Sequence, residues 1–334
     1  MSDGFSNRAL PEHRDADSER LAHIPLHEQR AGYQHLLGLA AGLEPIVTVV
    51  VHPCDKESLS VAIEAARDRL IIPIFVAPEK KLRTLADALG VDISPYKLVP
   101  AVHSHDAAAK AVAVVREGIA EALMKGSLHT DELMAAVVAR DTGLRTDRRM
   151  SHVFILDVPN YPRPLFLTDA AINIKPTLTD KRDIVQNVID LTHMFGIIDP
   201  RVAILSAIET VNPEIRSTID AAALCKMADR GQIIGGTLEG PLAFDNAISP
   251  DAAKIKNLRS PVAGQADVLV VPDLEAGNML AKQLQYLAGA RAAGIVLGAR
   301  VPIVLTSRAD SAFERRASCL VAQLIAHHRR GKVQ

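Results

Sequence analysis

"PIVTVVVHPCDKESLSVAIEAARDRLIIPIFVAPEKKLRTLADAL" occupies residues 45–89, and its reading decides the fold class. The first seven residues, Pro45 to Val51, are an almost unbroken β-branched run, the composition of a strand buried on both faces. The run stops at His52-Pro53. Over 57–69 the apolar residues Leu59, Ile63 and Ala66 then return at helical spacing. A second apolar run at 70–76 and a helical stretch at 80–89 repeat the pair. Strand–helix pairs of this kind predict parallel strands with helices packed on them.

The rhythm continues outward from this stretch. Strands are predicted at 97–102 and 122–125, and helices at 107–119 and from 130 to about 140. The polar segment 141–151 interrupts the pattern. Beyond it, 152–158 and 164–168 flank a Pro-Asn-Tyr-Pro turn and predict an antiparallel hairpin. Helices over about 179–195 and 214–229 surround a strand at 202–205. Further strands are expected at 266–271 and 301–305, with a helix at 279–287 between them. The sum is an α/β chain with a largely parallel sheet and a boundary near 141–151.

Composition narrows the class. At 334 residues the chain is long for one core, so two domains are expected. Apolar residues make up 48% and aromatic ones only 3%, without Trp, so Ala, Val, Ile and Leu must fill the interior. Lys plus Arg (38) nearly cancel Asp plus Glu (39), which leaves no basic field to draw in nucleic acid. Cys54, Cys225 and Cys319 lie far apart, with neither a CxxC pair nor metal-ligand spacing, and fit a reducing cytoplasm. Residues 1–30 lack the apolar core of a secretion signal, and no apolar run reaches the ~18 residues that span a bilayer. A cytoplasmic chain with no membrane association and a disordered polar N-terminus over 1–25 is expected.

Ligands of open α/β folds gather at the carboxyl ends of strands. Polar clusters fall at several such ends. Lys125-Gly126 with His129-Thr130 follows one strand. Asp169 and Asn173 follow the hairpin, and Asp273, Gly277 and Asn278 open a helix. Ser307, Arg308 and Asp310 follow the last strand. Each has a purely structural reading: a turn at Lys125-Gly126, a helix cap at His129-Thr130, a turn and an N-cap at Asp273 and Asn278, and a capping box at Ser311-x-x-Glu314. GxGxxG, GxxxxGK[ST] and HExxH are all missing.

Taken together, "LMKGSLHTDEL" (123–133), "SHVFILDVP" (151–159), "LFLTDAAINIKPTL" (165–178), "GPLAFDNAI" (240–248), "SPVAGQADVLVVPDLEAGNML" (260–280) and "VLTSRADS" (304–311) make the chain resemble the phosphate acetyltransferase/phosphate butyryltransferase family. The resemblance runs from about residue 45 to the C-terminus. It implies a two-domain α/β fold of the isocitrate/isopropylmalate dehydrogenase-like type with a cleft between the domains. Residues 26–150 plus 300–334 would form the first domain, and 151–299 an inserted second one through which family members usually dimerise. It also implies acyl exchange between coenzyme A and phosphate. Acetyl is the first expectation, although the 304–311 wording leans toward the butyryl branch. Coenzyme A would be a substrate, with no permanently bound cofactor and no metal.

The implied mechanism is direct transfer in a ternary complex. A carboxylate takes the thiol proton, and the thiolate attacks the acyl carbonyl. Ser307 and Arg308 match the family's Ser-Arg pair, which stabilises developing charge. The family's base lies six residues beyond that Arg, at Glu314 here, with Asp310 the closer alternative. Substrate contacts are expected from Lys125, Gly126, His129, Thr130, Ser151, Asp169, Asn173, Asp273, Gly277 and Asn278. One position departs from the family. Its phosphate-contacting Arg has Ala135 as counterpart, so phosphate is expected at Arg145, Arg148 or Arg149, or at Lys125. A thiol and a carboxylate differ by about 4 pKa units, or roughly 6 kcal/mol. Either burial raises the base or a cation stabilises the thiolate. A coenzyme-A-binding regulatory module is the competing class. A metal- and NAD-dependent decarboxylase finds no Asp cluster and no Tyr/Lys pair to support it.

Overall fold

The computed structural model describes residues 31–305 and 310–332, and within them eleven strands form one sheet. In chain order the strands are β1 (Ile46–Val51), β2 (Ile71–Ala77), β3 (Lys97–Pro100), β4 (Ala122–Lys125), β5 (Ser151–Asp157) and β6 (Leu165–Thr168). They continue with β7 (Arg201–Leu205), β8 (Thr237–Leu242), β9 (Val268–Val270), β10 (Arg291–Leu297) and β11 (Ile303–Val304). The helices that matter below are α1 (Ala31–Ala40), α2 (Lys56–Arg67), α3 (Glu79–Leu89), α4 (Ser104–Arg116), α5 (Thr130–Val137), α6 (Leu178–Met194) and α7 (Arg216–Asp229). Two short helices, α8 (Phe244–Ile248) and α9 (Pro250–Ile255), precede the long α10 (Leu274–Tyr286) and α11 (Ala312–Lys332).

The strand order is β3-β2-β1-β4-β11-β10-β5-β6-β9-β7-β8. The first five strands are mutually parallel, as are the last four. Between these wings β10 pairs antiparallel with both β11 and β5, and β5 pairs antiparallel with β6. The expected hairpin is therefore present. The expected largely parallel sheet has an antiparallel centre, because β10, which its Ala-rich sequence did not reveal, inserts there. The edge strand β8 was also missed. Its "TLEGPL" carries Gly and Pro in a run that is mostly half-exposed.

Side-chain alternation along the central strands divides the interior. On one face a single core runs under both wings, joining Val50, Met124, Val153, Phe166 and Ile204 to Phe313 and Leu320 of α11. On the other face there are two separate cores. One packs α4 and α5 on Val49, Val51, Ile74 and Leu123, and the other packs α10 on Leu156, Leu167 and Leu269. Facing outward between those two cores are His152 and Phe154 of β5 and Gly294 of β10. The gap above them is the main cleft.

Local chemistry fixes the ends of the helices. Asp55 caps α2 by accepting from the Ser58 N–H at 2.7 Å. Thr177 and Asp180 form a reciprocal capping box that starts α6. Gly90 ends α3 at φ 64°, a conformation that suits glycine. At the chain's far end, β11 pairs in parallel with β4, and α11 packs against α1, α2 and β10. The N-terminal expectation for 1–25 lies outside the described residues.

Candidate active site

The cleft has a volume of about 800 Å3. Its floor is His152 and Phe154, with Arg291 at the start of β10. One wall is the loop after β4, with Lys125, Leu128, His129 and Thr130. The opposite wall is α10, through Asn278, Lys282, Gln285 and Tyr286. Leu305, Asp310 and Glu314 close the remaining side. Six residues singled out from sequence, Lys125, His129, Thr130, Asn278, Asp310 and Glu314, thus meet around one space although they come from three distant segments. Ser307 and Arg308 lie outside the described residues, between Leu305 and Asp310.

The loop after β4 is held by the loop after β1. Ser127 Oγ donates to His52 O at 2.7 Å, and Cys54 N–H donates to Ser127 Oγ at 3.2 Å. Gly126 is pressed against the same backbone. A Cβ there would run into Val51 O and come within 2.6 Å of His52 O. Gly126 is thus a packing glycine that aims its neighbour. Lys125 is buried at the cleft wall, with Nζ 3.2 Å from Gly126 O. His129 is the backbone N-cap of α5 and makes no side-chain cap bond. Ala135 is exposed on α5 and does not border the cleft.

The second wall is seated by residues that do not touch the space. Asp169 Oδ1 accepts from Ala171 N–H at 3.0 Å and Ile172 N–H at 3.1 Å, and Oδ2 accepts from Asn173 Nδ2 at 2.6 Å. Burial pushes the Asp169 pKa up, against these hydrogen bonds, which pull it down. Asn173 Nδ2 also donates to Met150 O at 2.8 Å. Gly277 lets α10 close onto this turn, since a Cβ there would sit 3.0 Å from Asp169 O. Asp273 is the N-cap of α10, accepting from Ala276 N–H at 2.9 Å, so the cap falls where a turn was expected and not at Asn278. Ser151 points to the opposite face, where it accepts from Asn187 Nδ2 at 2.9 Å.

The three arginines of the 141–151 break are turned elsewhere. Arg148 pairs with Asp190 at 2.5 Å. Arg149 donates to Asn173 Oδ1 at 2.6 Å and lies 3.6 Å from Asp180. Arg145 is exposed and bridges to Ala299 through its backbone. None of the three borders the cleft. Its cationic side chains are instead Lys125, Lys282 and Arg291, the last stacked 5.6 Å over the Phe313 ring.

Glu314 lines the cleft and also forms the capping box. Its Oε2 accepts from Ser311 N–H at 2.9 Å and Ser311 Oγ at 3.0 Å, while Ser311 Oγ accepts from Glu314 N–H at 3.2 Å. Ala292 N–H reaches Oε1 at 3.4 Å. Donors therefore reach both carboxylate oxygens and fix the direction of the group.

Sequence reading missed His152, Phe154, Lys282 and Arg291. His152 and Phe154 alternate with core residues on an apolar strand, and such positions read as interior. The one available signal was a titratable ring inside the "SHVFILD" run. Among the described residues, no group of three or more His, Cys, Asp or Glu could hold a metal, and no helix is long and apolar enough to cross a membrane.

The family model described as "Phosphate acetyl/butaryl transferase" matches residues 97–316. A phosphate acetyltransferase of Rhizobium meliloti is 64% identical over 302 residues, covering 90% of this chain and 96% of the relative. A phosphate butyryltransferase of Clostridium acetobutylicum is 39% identical over 272 residues, 81% of this chain and 90% of the relative. The crystal structure of a branched-chain phosphotransacylase from Enterococcus faecalis V583 superposes with a TM-score of 0.75 at 30% identity, covering 84% of this chain and 99% of that one.

Proposed function

The chain belongs to the phosphate acetyltransferase/phosphate butyryltransferase family, and we propose that the cleft between its two outer cores is where the acyl group changes hands. The protein is an acyltransferase that exchanges an acetyl group between coenzyme A and phosphate, acetyl-CoA plus phosphate giving acetyl phosphate plus CoA. Butyryl-CoA is the alternative acyl donor. The observation that carries the site assignment is the meeting of Lys125, His129, Thr130, Asn278, Asp310 and Glu314 around one cavity. Coenzyme A enters as a substrate, and the reading includes no permanent cofactor.

In the direction of acetyl-CoA synthesis, the carboxylate of Glu314, or alternatively Asp310, accepts the proton of the CoA thiol. The thiolate sulfur forms a bond to the acyl carbon, the carbon–oxygen bond to phosphate breaks, and inorganic phosphate leaves. The capping box fixes the direction of the Glu314 carboxylate, which favours it on positioning grounds. The gap of roughly 6 kcal/mol between thiol and carboxylate is met by stabilising the thiolate, through Arg308 of the Ser307-Arg308 pair and through Lys125 and Arg291. Anion binding falls to Lys125, Lys282 and Arg291, which line the cleft, whereas Arg148 and Arg149 do not border it.

The same reading divides the chain into a first domain, 26–150 plus 300–334, and an inserted one, 151–299, on the isocitrate/isopropylmalate dehydrogenase-like plan. The pairing of β11 with β4 and the two separate cores on the cleft face support it. A cytoplasmic homodimer belongs to this reading, with exposed Met279, Tyr286 and Leu287 on and just after α10 as apolar surface for a second copy. The test is thiol release from acetyl-CoA and from butyryl-CoA, each with and without phosphate, in the absence of metal and nicotinamide. Phosphate-dependent release is expected, faster with acetyl-CoA. Release indifferent to phosphate would overturn the assignment.

A further inference from the structure

His152 lines the cleft. It is only 1% exposed, yet among the described residues its Nδ1 has no hydrogen-bond partner. A buried polar atom left unpaired costs about 1–3 kcal/mol. An aliphatic residue would cover the same floor without that cost. The surroundings are nevertheless built for the ring. Phe154 meets it edge-on with centroids 4.4 Å apart, and Thr168 Oγ1 donates to His152 O at 2.8 Å, fixing the backbone beneath. Across the sheet, Gly294 leaves the space the ring occupies, for a Cβ there would lie 2.9 Å from His152 Nε2. Among the described residues no hydrogen bond holds the ring in one tautomer through Nδ1. The ring borders the cleft, so a molecule bound there can supply the imidazole with a partner.

We propose that the imidazole of His152 donates a hydrogen bond to the carbonyl oxygen of the acyl group during its transfer. The inference rests on the acyl-exchange reading and adds a substrate-contacting residue to it. Charge matching selects the carbonyl over phosphate. Burial holds the His152 pKa down, to about 4, so the ring is neutral where the reaction runs. A phosphate anion beside it would draw it toward the charged form, against its burial, whereas Lys125, Lys282 and Arg291 already offer cations to an anion. A neutral donor suits an oxygen that begins uncharged and gains negative charge in the tetrahedral transition state. The acids Asp310 and Glu314 border the same cleft as the ring.

The test combines nitrogen NMR of the full chain labelled at histidine with kinetics of two variants. The probes are CoA, inorganic phosphate and acetonyl-CoA, a ketone that keeps the carbonyl and cannot transfer it. The His152 ring signals, identified by their loss in His152→Asn, are expected to move with acetonyl-CoA and to stay put with CoA or phosphate alone. His152→Phe is expected to lose about 100-fold in kcat with little change in the phosphate KM. His152→Asn, which retains a donor, should recover part of that loss. Movement with phosphate alone, or with CoA alone, overturns the carbonyl contact in favour of another. So does wild-type turnover in both variants, or an unmoved signal with acetonyl-CoA bound. If His152→Phe does not fold, the NMR result and His152→Asn decide. A wild-type protein that exchanges no acyl group would instead sink the broader reading.

Discussion

Replacing Glu314 by Gln separates the two jobs that this side chain can do. In the structure its carboxylate accepts from Ser311 N–H and Ser311 Oγ, and more weakly from Ala292 N–H. The amide oxygen of Gln can keep the Ser311 bonds, but it is uncharged, and its NH2 then faces the Ala292 N–H. Going from a charge-assisted to a neutral cap costs about 1 kcal/mol, plus about 0.5 kcal/mol of interaction with the α11 dipole. For a chain of this length that is a fall in Tm of only a few degrees. Loss of a general base is larger, about 100- to 10,000-fold in turnover. Even 100-fold corresponds to about 2.7 kcal/mol, more than the cap can account for. The control is Ser311→Ala, which removes the hydroxyl of the cap and leaves the acid. Tm by calorimetry and thiol release from acetyl-CoA plus phosphate are measured on both. Glu314→Gln should retain CoA binding and lose turnover, while Ser311→Ala should lose about 1 kcal/mol of stability and keep turnover within about fivefold. Equal turnover losses in the two variants would make Glu314 a positioning residue. Wild-type turnover in Glu314→Gln alongside collapse in Asp310→Asn would move the base to Asp310.

Other perturbations follow from the geometry. The unfolded chain protonates His152 near pH 6.5 and the folded chain only near 4, so stability should fall as pH drops through that interval, by about 3 kcal/mol from this residue. Urea unfolding across pH 4–7 should show that slope flattened in His152→Phe. Gly126→Ala, whose Cβ meets the backbone of Val51 and His52, should cost about 2–3 kcal/mol by the same method and displace Lys125 enough to weaken turnover. Lys181→Met strands the buried Asp220 carboxylate, 3.0 Å from Lys181 Nζ, with only an exposed Arg216 partner, and should cost about 3–5 kcal/mol without changing the KM for CoA.

Much of this architecture was legible. The alternation over 45–140 named β1 to β4 and their helices, because β-branched runs buried on both faces and amphipathic helices differ in period. The antiparallel centre was not legible, since β10 reads "RAAGIVL", and its small residues resemble a helix more than a strand. Its glycine is there because His152 occupies the space a side chain would need, a relation between strands far apart in sequence. For the site, the strand-end clusters identified six of the nineteen residues that line the cleft. Asp169, Asn173, Gly277 and Asp273 come from the same segments but brace α10 from behind, a difference that only packing reveals. The arginines at 148 and 149 resembled anion ligands because Asp180 and Asp190, which accompany them, lie more than thirty residues downstream.

The short strand β11 is the inner edge of the first wing, pairing with β4 on one side and with β10 on the other. In order of manufacture it follows every other strand described. A growing chain halted before residue 300 would have both neighbours synthesised and neither joined through the middle. The two wings can therefore be joined within the sheet only once residues 303–304 have been made, after all ten other strands described.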